Sequence, residues 1–252
     1  AYSDVLKEAQ ELGYAEADPT FDVGGYDAAH KLLILSSIAY GIDAKPEDIL
    51  IEGIQNISQD DIAFAKEFGY VSKRLGSAKK AKSQVDLRVH ASLSKKEAIM
   101  AKIDGVMNGI SVVGDKVGET LYYGAGAGGD ATASAVVANI IDIARSGKSK
   151  PMLGFDRPME GKLTLKEAGN IESKYYLRIS VSDKIGVLAR ITKIFEENSI
   201  SIEAILQRQA SSDSANLLIS THIAYEHDIQ NLINSLEKLE FVNQRPVMIR
   251  IV

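Results

Sequence analysis

YYLRISVSDKIGVL, residues 175–188, marks where the chain changes character. YLRISV (176–181) reads as a strand, and DKIGVL reads as a turn opening a helix that runs to about residue 198. Residues 200–209 and 216–223 read as two strands joined by the polar turn ASSDSA. A helix over 227–239 and a strand over 247–252 complete the order βαββαβ, the ferredoxin-like arrangement. The pattern is not repeated elsewhere in the chain.

Outward from this unit, residues 146–174 are polar and contain Pro151, Pro158 and several glycines, which reads as a linker. Residues 1–145 mix both periodicities. Ser3 is placed to cap a helix to Leu12, and residues 27–40 predict a mostly apolar, buried helix closed by Gly41. A short strand is expected over 49–54, and a helix capped by Ser58 ends at Gly69. Strands are expected over 71–78 and 85–93. The second alternates Val85, Leu87, Val89 and Ala91 with Asp86, Arg88, His90 and Ser92, which implies a sheet with one wetter face. GSAKKAKS (76–83) reads as a basic surface turn, and Ser94 as the cap of a short helix to Met100. A hairpin over 105–123, turning at Gly114-Asp115, precedes a glycine-rich turn and a helix to Arg145. Residues 163–168 suggest a helical turn. The fold class is therefore α+β: a mixed sheet with packed helices, then the ferredoxin-like unit.

Composition limits the function. The 252 residues are 45% hydrophobic and 25% charged, as in a globular protein, with a net charge of −5. That balance argues against nucleic acid or an anionic membrane as partner. With no cysteine there is neither disulfide nor thiolate chemistry, which fits a cytoplasmic setting. No apolar run approaches the ~20 residues of a membrane span. The start at Ala1 lacks a signal pattern and enters a helix-like stretch directly, so an upstream continuation is expected.

Candidate chemistry concentrates in GYAEADPTFDVGGYDAAHK, residues 13–31. Glu16, Asp18, Asp22 and Asp27 crowd a turn-rich path set by Pro19 and Gly24-Gly25. Lys31 follows Asp27 by four residues, on one helix face in the favourable acid-then-base order. A surface pair of this kind is worth only about 0.3–0.5 kcal/mol, so spacing alone does not make it catalytic. Carboxylates beside a lysine-bearing helix suit an amino-acid substrate, whose ammonium needs acidic partners. A divalent-cation site is the competing reading, opposed by the charge of Lys31, and no metal is expected. Asp18 before Pro19 reads equally as an Asx-type turn. His30 reads as a packed or partner-facing histidine instead of a ligand, and Asp130 as a helix cap. Gly124, Gly126 and Gly129 satisfy G-x-G-x-x-G between a strand and a helix. A linker, not a second parallel strand, follows that helix, so we favour a cradle of backbone N–H groups facing a polar ligand.

Two family resemblances follow from these residues. Ala9, Gly13, Tyr14, Asp18-Pro19, Asp22-Val23, Gly25, Asp27 and Lys31 resemble the signature of the homoserine dehydrogenases, each at the family's spacing. The glycine-rich segment is similar to the same family's G-P-G-A-G-x-x-P-T-A-S-A-type turn. Gly124, Gly126, Ala127, Gly128, Thr132, Ala133, Ser134 and Ala135 match; Ala125 and Ala131 replace prolines, and Asn139 stands where an acid is common. Asp183, Gly186 and Leu188 match the D-x-x-G-x-L turn of ACT domains. The resemblance implies a catalytic, substrate-binding and dimerisation domain over 1–145, a linker over 146–174 and an ACT regulatory domain over 175–252.

The resemblance further implies NAD- or NADP-dependent, reversible oxidation of L-homoserine to L-aspartate 4-semialdehyde, in the biosynthesis of threonine, methionine and isoleucine. Lys31 would handle the hydroxyl proton, with Asp27 holding it. Burial would favour its neutral amine and Asp27 its ammonium. Glu16 would grip the substrate ammonium, with Tyr14 and Asp22 beside it. Backbone at Gly124, Gly126 and Gly128 would close the pocket near the cofactor. An effector, threonine by family analogy, would bind at Asp183, Gly186 and Leu188, and a homodimer or higher oligomer is expected. The family's nucleotide-binding domain precedes the 13–31 signature, so this chain is expected to be a fragment, incomplete as an enzyme by itself. The alternative is a non-catalytic amino-acid sensor or dimerisation protein.

Overall fold

The computed structural model describes residues 18–147 and 163–252. The expected first helix, Tyr14 and Glu16 lie outside the described residues, as does most of the expected linker.

The short helix α1 (Thr20–Val23) leads into α2 (Tyr26–Tyr40). Gly25 makes that junction with φ 88°, a left-handed conformation a side chain disfavours, and Gly41 closes α2 in the same region. Only Ala29, Leu32 and Ser36 of α2 are buried, while Ile34 is 62% exposed. The expectation of a buried helix is corrected, because a single sheet face packs against it. The expected strand at 49–54 reduces to β1 (Leu50–Ile51). The helix α3 (Gln59–Glu67) starts on a reciprocal cap: Asp61 N–H donates to Ser58 Oγ at 3.2 Å and Ser58 N–H donates to Asp61 Oδ2 at 2.9 Å.

Strands β2 (Tyr70–Ala81) and β3 (Gln84–Lys95) form one long antiparallel hairpin, in register from Tyr70↔Lys95 to Ala81↔Gln84. The basic stretch 76–83 therefore continues the strand, and only Lys82 and Ser83 turn, with Lys82 at φ 55°. Ser94 lies in β3, and the helix expected after it is a single 3-10 turn, Ile99–Lys102. Strands β4 (Met107–Gly114) and β5 (Gly118–Ala125) make a separate hairpin, followed by α4 (Gly129–Ser146). None of these three elements has a buried residue. A two-residue strand, β6 (Thr164–Leu165), and a 3-10 turn at Ala168–Asn170 replace the expected helical turn.

The C-terminal unit comprises β7 (Glu172–Ser182), α5 (Val187–Glu197), β8 (Ile202–Gln209), β9 (Ser214–Thr221), β10 (Ala224–Tyr225), α6 (Glu226–Glu237) and β11 (Val247–Ile251). Its strands run β11-β7-β9-β8, all antiparallel. Leu177, Ile179, Leu217 and Ile219 face Ile191, Phe195, Ile229 and Leu232 of the two helices in one core. This is the ferredoxin-like arrangement, as expected.

The free edge of β11 pairs in parallel with β3, through Arg250↔Ser92 and Ile251↔Leu93. Both halves of the chain thereby share one nine-stranded sheet among the described residues. Helices α2 and α3 cover the odd-numbered face of β3, where Val85, Leu87 and Val89 meet Ala29 and Leu32, and Leu93 meets Phe64.

The opposite face of β3 is not wet. Arg88, His90 and Ser92 are each no more than 2% exposed, and Asp86 is 9% exposed. β6 pairs with the start of β3 in the plane of the sheet, and Lys166 and Lys79 act on Asp86. Burial first, and then the charge of Arg250, push the His90 imidazole down to about 3, so it stays neutral. Polar alternation thus reports here a buried electrostatic layer instead of solvent.

That layer centres on Arg250, which is fully buried. Its Nε donates to Glu226 Oε2 at 2.9 Å, and its Nη1 and Nη2 donate to Glu52 at 2.6 and 2.8 Å. A second tie joins α3 to β7. Arg178 Nε and Nη2 donate to Asp61 at 2.6 and 3.1 Å, and the Tyr176 hydroxyl donates to Asp61 Oδ1 at 3.1 Å.

Removing the guanidinium would strand two carboxylates, so Arg250→Ala should lose about 3–5 kcal/mol in urea unfolding. Burial raises the pKa of both Asp61 and Glu226, but their arginine bonds outweigh it and hold both carboxyls below their ordinary range. Depressed carboxylates stabilise the fold above their unfolded pKa and lose that contribution as pH falls through the folded value. Unfolding midpoints measured against pH should therefore fall below the ordinary carboxylate range, and Asp61→Asn should flatten that acid limb while lowering stability at neutral pH.

Candidate functional site

Pro19 and the turn at residues 18–25 present the acidic loop at the start of α2. Thr20 N–H donates to Asp18 Oδ1 at 3.0 Å, the Asx-type turn, and bonding to Thr20 holds that carboxyl below its usual value. The helix then sets Asp27 and Lys31 one turn apart, and Lys31 Nζ donates to Asp27 Oδ2 at 2.8 Å. Lys31 is 65% exposed and Asp27 34%, so the pair lies on an open face instead of in a closed pocket. The same face carries Phe21, Tyr26 and His30. Phe21 stacks on Tyr26 and meets the His30 ring edge-on at 5.3 Å between centroids, which accounts for His30 as a packing residue.

Asp22 is half-buried, and its backbone carbonyl accepts a hydrogen bond from Arg74 Nη1 of β2. Nothing in the sequence singles out Arg74. It reaches the loop because the hairpin passes beneath it, 52 residues later in the chain. Ile54 N–H donates to the Val23 carbonyl at 3.2 Å, fixing the loop from its other side.

The glycine turn lies on the outlying β4–β5–α4 unit. Among the described residues no hydrogen bond or ion pair joins Gly124, Gly126 or Gly128 to Asp27 or Lys31. Gly126 N–H donates to the Val106 carbonyl at 3.1 Å, and a Cβ on Gly126 would run into the Asn108 side chain, which packs over this glycine. Gly128 has φ 114° and ψ 146°, and a Cβ on Gly124 or Gly128 would meet open space. Gly128 caps α4 without a side-chain hydrogen bond, which leaves the first N–H groups of an 18-residue helix available to a polar group. Asp130 sits in the first turn of α4 but makes no capping bond, contrary to expectation; Gly128 occupies the cap position instead.

In the C-terminal unit, Gly186 holds φ 87° at the start of α5. Asp183 Oδ1 accepts from Gln207 Nε2 at 3.2 Å, and Leu188 is 39% exposed. A small cavity of about 70 Å³ opens among Asp183, Gly186, Leu188 and Gln207. Among the described residues no three acidic or histidine side chains are grouped as metal ligands, and no helix is long and apolar enough to cross a membrane.

The fold and these residues define a two-part class of protein: an acidic loop and lysine-bearing helix on a mixed sheet, extended by a ferredoxin-like module. The homoserine dehydrogenase profile matches residues 1–141 and the ACT domain profile residues 175–241. The chain belongs to the homoserine dehydrogenase family. It is 55% identical to a homoserine dehydrogenase of Helicobacter pylori over 252 residues, covering 100% of this chain and 59% of that protein. It is 43% identical to one from Neisseria gonorrhoeae, covering 99% of this chain and 59% of that one. The crystal structure of a Thiobacillus denitrificans homoserine dehydrogenase superposes with a TM-score of 0.90 at 41% identity, covering 100% of this chain and 58% of that one. The chain thus spans less than two-thirds of the length of these relatives.

Withdrawing the Arg74 guanidinium should loosen the acidic loop without unfolding the sheet, since Arg74 is exposed. Arg74→Ala should cost no more than about 1 kcal/mol in urea unfolding while increasing hydrogen exchange at residues 20–25.

Proposed function

We propose that, within the full-length protein, this chain supplies the substrate-handling side of a homoserine dehydrogenase. The reaction is the reversible oxidation of L-homoserine to L-aspartate 4-semialdehyde with NAD or NADP, on the route to threonine, methionine and isoleucine. The carrying observation is the 2.8 Å bond between Lys31 and Asp27 on the open face of α2, at the mouth of the acidic loop. Lys31 receives the hydroxyl proton as the alcohol is oxidised, and Asp27 keeps its Nζ aimed at the substrate. Glu16, with Tyr14 and Asp22, holds the substrate ammonium. The uncapped N-terminus of α4 and the backbone at Gly124, Gly126 and Gly128 close over the cofactor side; a bound nicotinamide supplies the hydride acceptor. Residues 1–145 form the catalytic portion, 146–174 the connection and 175–252 the ACT module. The module senses an amino acid, threonine by family analogy, at Asp183, Gly186 and Leu188, in a cytoplasmic homodimer or larger homo-oligomer. A second reading, amino-acid sensing without catalysis, rests on the cavity at that turn.

Lys31→Ala in the full-length protein should lower kcat for homoserine oxidation by about 10²–10⁴-fold, with a melting temperature close to the parent's because Lys31 is exposed. Retention of most activity in that folded variant would remove Lys31 from the mechanism. Threonine titrated calorimetrically into the chain should bind, and Asp183→Ala should weaken it. No heat at millimolar threonine would leave the module only an assembly role.

A further inference from the structure

A cavity near the junction of the two halves belongs to neither site described above. It measures about 220 Å³ and lies between α3 and the outer face of the C-terminal sheet. Phe64, Phe68, Tyr176 and Leu218 provide apolar walls, and Glu203 and Ser220 provide polar ones. Phe64 packs 4.4 Å from Phe68 and 5.1 Å from Tyr176, ring centre to centre. Phe68 is nevertheless 41% exposed, so the aromatic wall is open on one side.

Strand β8 is irregular where it borders this cavity. The ladder with β9 runs Ile202↔Thr221 and then Ala204↔Ser220, leaving Glu203 as an extra, unpaired residue. In a regular strand, neighbouring side chains point to opposite faces. Here both Glu203 and Ala204 line the cavity, while Ile202 packs into the core under α5 and α6. The bulge therefore turns two successive side chains, Glu203 and Ala204, to the same face, so that small Ala204 leaves room beside the Glu203 carboxylate.

The mouth carries both signs of charge. Glu203 Oε1 accepts from Lys174 Nζ at 2.8 Å, and both side chains remain more than a third exposed. Lys95 and His222 also act on the Glu203 carboxyl, which its bond to Lys174 holds below the usual range. The C-terminal turn of α3, at Ala65 and Phe68, borders the same space and contributes the partial negative charge of a helix end. A carboxylate plus a helix C-terminus suits an ammonium group. Adjacent lysines suit a carboxylate, and the aromatic wall suits an apolar side chain.

We propose that this cavity binds a free α-amino acid with an apolar side chain, its ammonium on Glu203, its carboxylate on Lys174 and its side chain against Phe64 and Phe68. The occupant spans α3 and the C-terminal sheet, reinforcing the Asp61–Arg178 tie that already joins them. This site is distinct from the turn at Asp183, Gly186 and Leu188, and it does not rest on the catalytic reading.

The test is calorimetric titration of the chain with L-leucine, L-isoleucine and L-phenylalanine, each used as a probe. Saturable binding of at least one is expected. Glu203→Gln should weaken it by about tenfold or more, consistent with loss of a charged hydrogen bond. Ala204→Phe should fill the cavity and abolish binding, with its fold checked by circular dichroism, while Asp183→Ala should leave affinity unchanged. Glu203→Gln alone decides the matter if Ala204→Phe fails to fold, because Glu203 is partly exposed and outside the core. The proposal is overturned by no saturable heat from any probe up to about 10 mM, by equal affinity in Glu203→Gln, or by loss of binding in Asp183→Ala.

Discussion

A buried guanidinium holds the two halves of this protein in one arrangement. Arg250 has no access to water, so its charge must be met inside the protein. One carboxylate comes from Glu52, just beyond β1 in the N-terminal half, and the other from Glu226 at the start of α6. Any displacement of the C-terminal unit would separate these partners and leave charge buried. The parallel pairing of β11 with β3 supplies the backbone framework for that contact. Sheet and ion network therefore specify the same docking, one through direction and register, the other through charge.

This junction also lies close to the candidate catalytic loop. Glu52 N–H donates to the Val89 carbonyl at 2.8 Å, and Ile54, two residues on, donates to Val23. Val23 ends α1, and Arg74 secures the neighbouring Asp22 carbonyl. Thus the segment that pairs with Arg250 on one side braces the acidic loop on the other. The second tie, Asp61 to Arg178 and Tyr176, connects α3 with β7, whose end leads into the turn at Asp183. Both polar junctions use residues from each half of the chain, so neither half contains them alone.

Local patterns made much of the architecture legible. The βαββαβ order follows from short alternating strands separated by turn residues and two amphipathic helices. Ser58 announced α3 because a reciprocal cap needs only residues three apart. Asp27 and Lys31 meet for the same reason: helix geometry brings positions i and i+4 together without tertiary help. Asp18 likewise bonds Thr20 two residues away. Reading failed where a pattern depended on what packs against it. Alternation along β3 identified two faces, yet it does not state whether the polar face meets water or other charges. The lysines of 76–83 suggested a turn, but twelve residues of antiparallel pairing satisfied the backbone better.

The sequence by itself determined the family signature, the C-terminal topology and the pairing of Asp27 with Lys31, because these depend on neighbours within a turn or on motif spacing. Only the tertiary structure decided that β11 adds to β3, that Arg250 joins Glu52 across 198 residues, and that Arg74 supports the acidic loop. It alone set Glu203 and Ala204 on one face beside an aromatic cavity, since a bulge is a mismatch between two strands and is visible only when both are aligned. Contacts of short sequence separation are encoded locally; burial and long-range charge pairing exist only after the sheet has closed.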